Sequence, residues 1–282
     1  MATEKATPDV QHVPRPAQDR FEGLIERVLT STAQEPGVVE TIVPPTGSIY
    51  LNALMRGQLD IRLSDGVQSE IPDLYLGGQL LREMPQARIT TPLSLAGLQF
   101  TATGFYRLFQ LDASRLTDRI TPLEAIDGQL TVALRDALAA VRTGEETADI
   151  MQDTLAIKLP SALPPDLAAK AAGQIERKAG RIGMTELALA CGVSTRHLRR
   201  VFSREVGVSP KSYAKTIQIN TVVAALQSGE AGAVHDIALA HGYYDQAHFA
   251  RDFSRLVGSK PSDFLASREA FLEMFLGRNI NR

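Results

Sequence analysis

The stretch STRHLRRVFSREVG, residues 194–207, carries arginines at positions 196, 199, 200 and 204. Wound as an α-helix at about 100° per residue, it sets Leu198, Val201, Phe202 and Glu205 on one face. Arg196, Arg200 and Ser203 fall opposite, with Arg199 beside them. A guanidinium is a flat fork of donors that fits the O6/N7 edge of guanine or the oxygens of a phosphate. One such helix has two readings, an ordinary solvated face or a nucleic-acid reader, and by itself does not choose between them.

The chain then repeats the phrase. ELALACG (186–192) lies over DIALAHG (236–242) at an offset of 50, and STRHLRRVFSREVGVSP lies over DQAHFARDFSRLVGSKP at an offset of 51. His197 matches His248, Arg200 matches Arg251, Phe202 matches Phe253, Arg204 matches Arg255 and Pro210 matches Pro261. Each copy is a short apolar helix, a glycine turn, an N-capping Ser194 or Asp245, and a second helix, which is the layout of a helix-turn-helix. Two such units fit successive major grooves if they stand about 34 Å apart. The intervening SPKSYAKTIQINTVVAALQSG predicts a helix of about 20 residues and roughly 30 Å. The duplication therefore favours the nucleic-acid reading.

These two motifs, LALACGVSTRHLRRVFSREVGVSPKSY and IALAHGYYDQAHFARDFSRLVGSKPSDF, resemble the AraC/XylS family of transcriptional regulators over about residues 166–266. The resemblance implies a seven-helix domain that binds double-stranded DNA, with RNA polymerase as a further partner and homodimerisation as an option. By position it puts base contacts on Arg196, Arg199 and Arg200 in the first unit, and on Gln246, Ala247 and Arg251 in the second. Phosphate anchoring is expected from Arg204, Lys211, Arg255 and Lys260, and Ser203, His197 and His248 join the DNA-binding set. The two histidines stand at equivalent helix edges, where phosphate contact and helix packing are both open. Gln218 stands where the family usually has an arginine.

Charge separates these motifs from the rest of the chain. The 282 residues carry a net charge of -2, yet from Asp166 onward 16 Lys and Arg stand against 11 Asp and Glu, while the part before it has 14 against 21. The two halves are built for different partners. Between them lies the proline cluster LPSALPPDL, read as a linker over 159–165. From 166 to 282 the pattern is helical throughout, the inner segments ending at or near glycine, so the C-terminal half is expected to be all-α.

The N-terminal half reads differently. Four prolines by residue 36 suggest a loose segment over 1–36. From 37 to about 112, short apolar alternations broken by Gly, Pro, Asp and Ser predict a β-rich barrel or sandwich, the stretch LSLAGLQFTATGFYRLFQLD included. Leu130, Leu134, Ala137, Leu138 and Val141 then recur at helical spacing, giving two flanking helices before residue 158. These pack on their own domain or form a dimer contact. The whole is an α+β two-domain chain, with an effector or dimerisation domain at 37–158 and two helix-turn-helix units joined by a long helix at 166–282.

Catalysis is disfavoured in the acidic half, which holds His12 as its one histidine and no cysteine, so no nucleophile and base stand ready. Cys191 is the single cysteine, which excludes an intrachain disulfide and a thiolate metal site; no metal and no resident cofactor are expected. Neither a signal segment nor a long apolar run appears, which points to a cytoplasmic protein with no membrane partner. An N-terminal domain resembling the sensor domains of some AraC-like proteins implies control by a small-molecule effector; control by a protein partner, or by dimerisation alone, is the alternative. For an anionic effector, including a nucleotide messenger such as cyclic di-GMP, the candidate contacts are Arg15, Arg20, Arg62, Arg115 and Arg119.

Overall fold

The computed structural model describes residues 8–261 apart from 44, 64–65, 69–70, 82–84, 142, 228–233 and 258–259. The N-terminal half is one antiparallel sheet. Its strands are β1 (Gln11–Arg15), β2 (Ile25–Ile42), β3 (Tyr50–Leu63), β4 (Gly66–Gln68), β5 (Leu74–Gly77), β6 (Gln86–Phe100) and β7 (Ile120–Pro122). They pair in the order β1-β2-β6-β3-β5-β7, with β4 on β3, and the described pairing does not close into a barrel.

Three long strands form the centre, and bulges let them curve. Register shifts fall between Ala33 and Gly37 on β2, and at Leu54/Arg56 and Arg56/Gln58 on β3. The shift between Leu54 and Arg56 inserts one residue on β3 and so exchanges the two faces of that strand: Leu51 and Ala53 face one side, Leu59 and Ile61 the other. Gly57 is required here: its φ is +97°, and an added Cβ would sit 2.7 Å from the carbonyl of Thr90. One face of the sheet, through Val28, Leu51, Ala53, Ala96, Leu98 and Phe100, packs on helices α1 (Gly104–Phe109), α2 (Gly128–Leu138) and α3 (Gly144–Leu155). The other face, with Leu59, Ile61, Tyr75, Ala87 and Ile89, curls around a second apolar cluster.

Two expectations are corrected. Residues 8–36 are not loose, because β1 and the first half of β2 lie within them. The prolines fall where a strand tolerates them: Pro14 is on the edge strand β1, and Pro36 sits in the bulge between Ala33 and Gly37. His12, assigned to that loose segment, is on β1 and hydrogen-bonds Ser31 Oγ at 2.8 Å. The stretch GFYRLF, expected to continue a strand, is helix α1 instead. Phe105 and Leu108, three apart, bury one helical face, and Phe105 stacks on Phe109 with ring centroids 4.9 Å apart.

The helices expected after the sheet are α2 and α3, and they pack on their own domain: Leu130, Leu134, Leu138, Met151 and Leu155 are buried against the sheet core. The proline linker is tied down, since Leu163 N donates to Arg107 O at 2.9 Å. Asp166 then caps α4 (Leu167–Arg177), its side chain accepting from Ala168 N. Helices α5 (Met184–Cys191), α6 (Thr195–Val206), α7 (Pro210–Gln227), α8 (Val234–Ala240) and α9 (Gln246–Val257) complete the described C-terminal half. The helix expected over 261–277 lies, beyond Pro261, outside the described residues.

Candidate nucleic-acid interface

The duplicated phrase becomes a duplicated structure. In the first unit α5 ends at Gly192, φ +73°, and Ser194 Oγ accepts from His197 N to start α6. In the second, α8 ends in a turn with Gly242 at φ +87°, and Asp245 Oδ1 accepts from His248 N at 2.7 Å to start α9. Leu198 and Phe202 of α6 are buried, as are Phe249 and Phe253 at the matching places of α9. The turn geometry follows from glycine's tolerance of positive φ, and the helix starts from a side-chain oxygen that satisfies a first-turn N–H. Between the units α7 runs for 18 residues, or about 27 Å.

Gln218, the departure in that connecting helix, is buried and has a structural task. Its Nε2 donates to His241 O at 3.2 Å, which holds the end of α8 against α7. Lys215 pairs with Asp252 at 2.6 Å and ties α9 to the same helix.

Arg196, Arg199 and Arg200 are exposed along α6, as the pattern required. Arg196 and Arg199 have no ion-pair partner among the described residues, and Arg200 Nη2 lies 3.3 Å from His197 Nδ1. With Ser203 and Arg204 they line a concave surface of about 780 Å³, whose other wall is Asp112 and Ser114 of the N-terminal half. Lys211 is exposed at the second position of α7, and Lys260 is exposed beyond α9. Gln246 and Arg251 are exposed on α9, Arg251 Nε donating to Ala247 O at 3.2 Å along its own helix. Arg255 is exposed, 3.9 Å from Asp252.

Two residues of the expected set turn elsewhere. Arg204 bonds Glu205 at 2.7 Å and lies over the Tyr106 ring of α1, 5.2 Å from its centroid. His248 lies 3.2 Å from Asp252 and 5.4 Å, centroid to centroid, from Tyr243. Glu205 itself is buried, and loss of hydration lifts its carboxyl to about 7 against the pull of Arg204.

Sequence reasoning missed the seam between the halves. Gln79 is buried and its Nε2 donates to Val206 O at 2.6 Å; Thr117 Oγ1 donates to Gly207 O at 2.7 Å. Both carbonyls belong to the end of α6, where a helix has no partners of its own for them. Asn220 Nδ2 on α7 donates to Pro45 O at 3.1 Å. No periodicity in the chain marks such contacts, since each joins residues more than 80 positions apart.

The segments that hold α6 also wall a cavity inside the curled sheet. Gly77, Gly78 and Leu80 flank Gln79, and Arg119 and Ile120 follow Thr117; all five line it. The two segments are locked together, Gly78 N donating to Arg119 O and Asp118 N to Gln79 O, and a Cβ on Gly78 would lie 1.6 Å from Leu116 O. Of the arginines considered for an effector, Arg119 lines this cavity. Arg15 pairs with Asp149 and Arg20 with Asp153; Arg62 and Arg115 are exposed elsewhere and do not line it. Among the described residues no three His, Cys, Asp or Glu side chains gather as metal ligands, and no helix is long and apolar enough to cross a membrane.

Residues 187–267 match the helix-turn-helix domain family. The matched segment takes in most of α5 and all of α6 to α9, and so both helix-turn-helix units. Two curated relatives, the XylDLEGF operon transcriptional activators 1 and 3 of Pseudomonas putida, are each 31% identical over 88 residues, covering 30% of this chain. The match spans 26% of those relatives' own length. Among solved structures, ToxT from Vibrio cholerae O395 aligns at 12% identity and a TM-score of 0.46, over 84% of this chain and 98% of that one. The AraC-like transcriptional activator CuxR aligns at 14% identity and a TM-score of 0.32, over 77% and 87%.

Proposed function

We propose that the chain is a sequence-specific DNA-binding transcriptional regulator, an activator by analogy with its curated relatives, controlled by an effector held in the N-terminal domain. The observation that carries the first part is the pair of equivalent helix-turn-helix units at the two ends of α7, with Arg196, Arg199 and Arg200 exposed on α6. Their spacing suits consecutive turns of one face of a duplex. Base edges are read by these three arginines in one groove and by Gln246 and Arg251 in the next. Lys211, Arg255 and Lys260 anchor on phosphates, and RNA polymerase is the partner downstream.

Effector control is supported over control by a partner protein alone by the cavity whose wall carries Gln79 and Thr117 next to the end of α6. An occupant that moves this wall moves the first reading helix. Cytoplasmic action and homodimerisation belong to the same reading.

The test is selection of an operator from random DNA followed by a gel-shift titration. Arg200→Ala is expected to weaken operator binding by about 1–3 kcal/mol and to relax preference at one base position. Unchanged affinity and preference would refute the assignment of α6 as the reading helix.

A further inference from the structure

The cavity inside the curled sheet has a volume of about 120 Å³. Most of its wall is aliphatic, from residues such as Leu59, Ile61 and Ile89. Polar side chains break that wall, among them Ser31, which pairs with His12, and Ser48, which pairs with Gln99; Tyr75 and Asn52 differ from these. Tyr75 is 4% exposed, and its hydroxyl makes no hydrogen bond with a described residue. Asn52 likewise leaves its carboxamide without a partner among the described residues. The carboxamide has its place because residue 97 is glycine: a Cβ there would sit 2.7 Å from Asn52 Oδ1. A hydroxyl that lines such a cavity without a protein partner can take its hydrogen bond from an occupant.

We propose that this cavity binds a small uncharged molecule of about single-ring size, with one hydrogen-bonding group set against Tyr75 and Asn52. The proposal rests on the effector-controlled reading above and names the class of effector. Size follows from comparison: an apolar protein cavity of about 150 Å³ takes benzene, and drug-sized ligands need about 300 Å³ or more. Neutrality follows from the lining. Arg119 is the ionisable cation there, and it is exposed at the rim, so an ionised head group placed inside would lose its hydration and meet only dipoles. A hydroxyl or amide on the occupant meets two groups that can each donate and accept.

Phenol, toluene and benzoate are titrated into the full chain and followed by calorimetry and ligand-observed NMR. Phenol is expected to bind about tenfold more tightly than toluene, with benzoate weaker than phenol. Tyr75→Phe, which deletes an unpaired hydroxyl and keeps the ring, is expected to bring phenol to within about twofold of toluene while toluene binding persists and reports an intact cavity. Asn52→Leu is expected to act in the same direction. Absence of phenol binding at about 10 mM, a phenol preference unchanged in Tyr75→Phe, or benzoate as the tightest of the three would overturn the proposal. A gel shift on the same samples separates the two claims: operator binding without phenol binding sinks this inference alone, and phenol binding without operator binding sinks the regulator reading alone.

Discussion

Replacing Gln79 by methionine keeps the volume of a buried side chain and deletes the donor that meets Val206 O at 2.6 Å. That carbonyl is in the last turn of α6, so no helix N–H can take over. A buried acceptor left unpaired costs about 1–3 kcal/mol. Thr117→Val does the same to Gly207 O, and because the two bonds share one helix end their costs are expected to fall short of additive. For a chain of this length each kcal/mol lowers the melting temperature by about 2–4 °C. The assay is denaturant and thermal unfolding of the full chain, alongside an operator titration with and without phenol. We expect Gln79→Met to lower stability by the stated amount and to reduce the phenol-induced change in operator affinity, while the base-reading arginines stay in place. A stability change below about 0.5 kcal/mol, or an effector response equal to wild type, would refute the claim that this seam couples cavity to helix.

Substituting both Arg196 and Arg199 by alanine should damage operator specificity more than substituting both Gln246 and Arg251, because α9 already has alanine at the two matching positions; a base-by-base specificity profile reads this directly. Lys211→Ala should flatten the dependence of log affinity on log salt by about one, whereas Arg204→Ala should leave that slope unchanged and weaken the contact with Tyr106 instead. Glu205 gives a pH effect of defined sign. Its folded value of about 7 lies above its usual 4.5, so the folded state binds the extra proton; stability is full below about 4.5 and falls as pH rises toward 7. Glu205→Gln should remove that slope in a series of unfolding curves.

The C-terminal site was legible because its signals are local. Caps at Ser194 and Asp245, turn glycines at 192 and 242, and apolar residues three and four apart specify each helix within a dozen positions, and the repeat doubles the evidence. The N-terminal half was legible only in class. Strand character showed in the alternation, but the bulge of β3 between Leu54 and Arg56 shifts that alternation in mid-strand, and it arises from pairing with Leu95 and Ser94 that the chain order hides. Pro14 and Pro36 read as breakers until the edge position and the bulge that accept them are known.

By itself, then, the sequence determined two helix-turn-helix units, the spacing between them, and arginines on the outer face of α6, since helical period and capping chemistry act over a few residues. Tertiary structure alone decided which cations remain outward. Arg204 lies over the ring of Tyr106, a residue far away in the chain that comes close only on folding. It also decided that residues 77–80 and 116–120 wall a cavity on one side and hold the end of α6 on the other. A hydrogen bond across 127 residues, such as that of Gln79 with Val206, leaves no period in the chain to read.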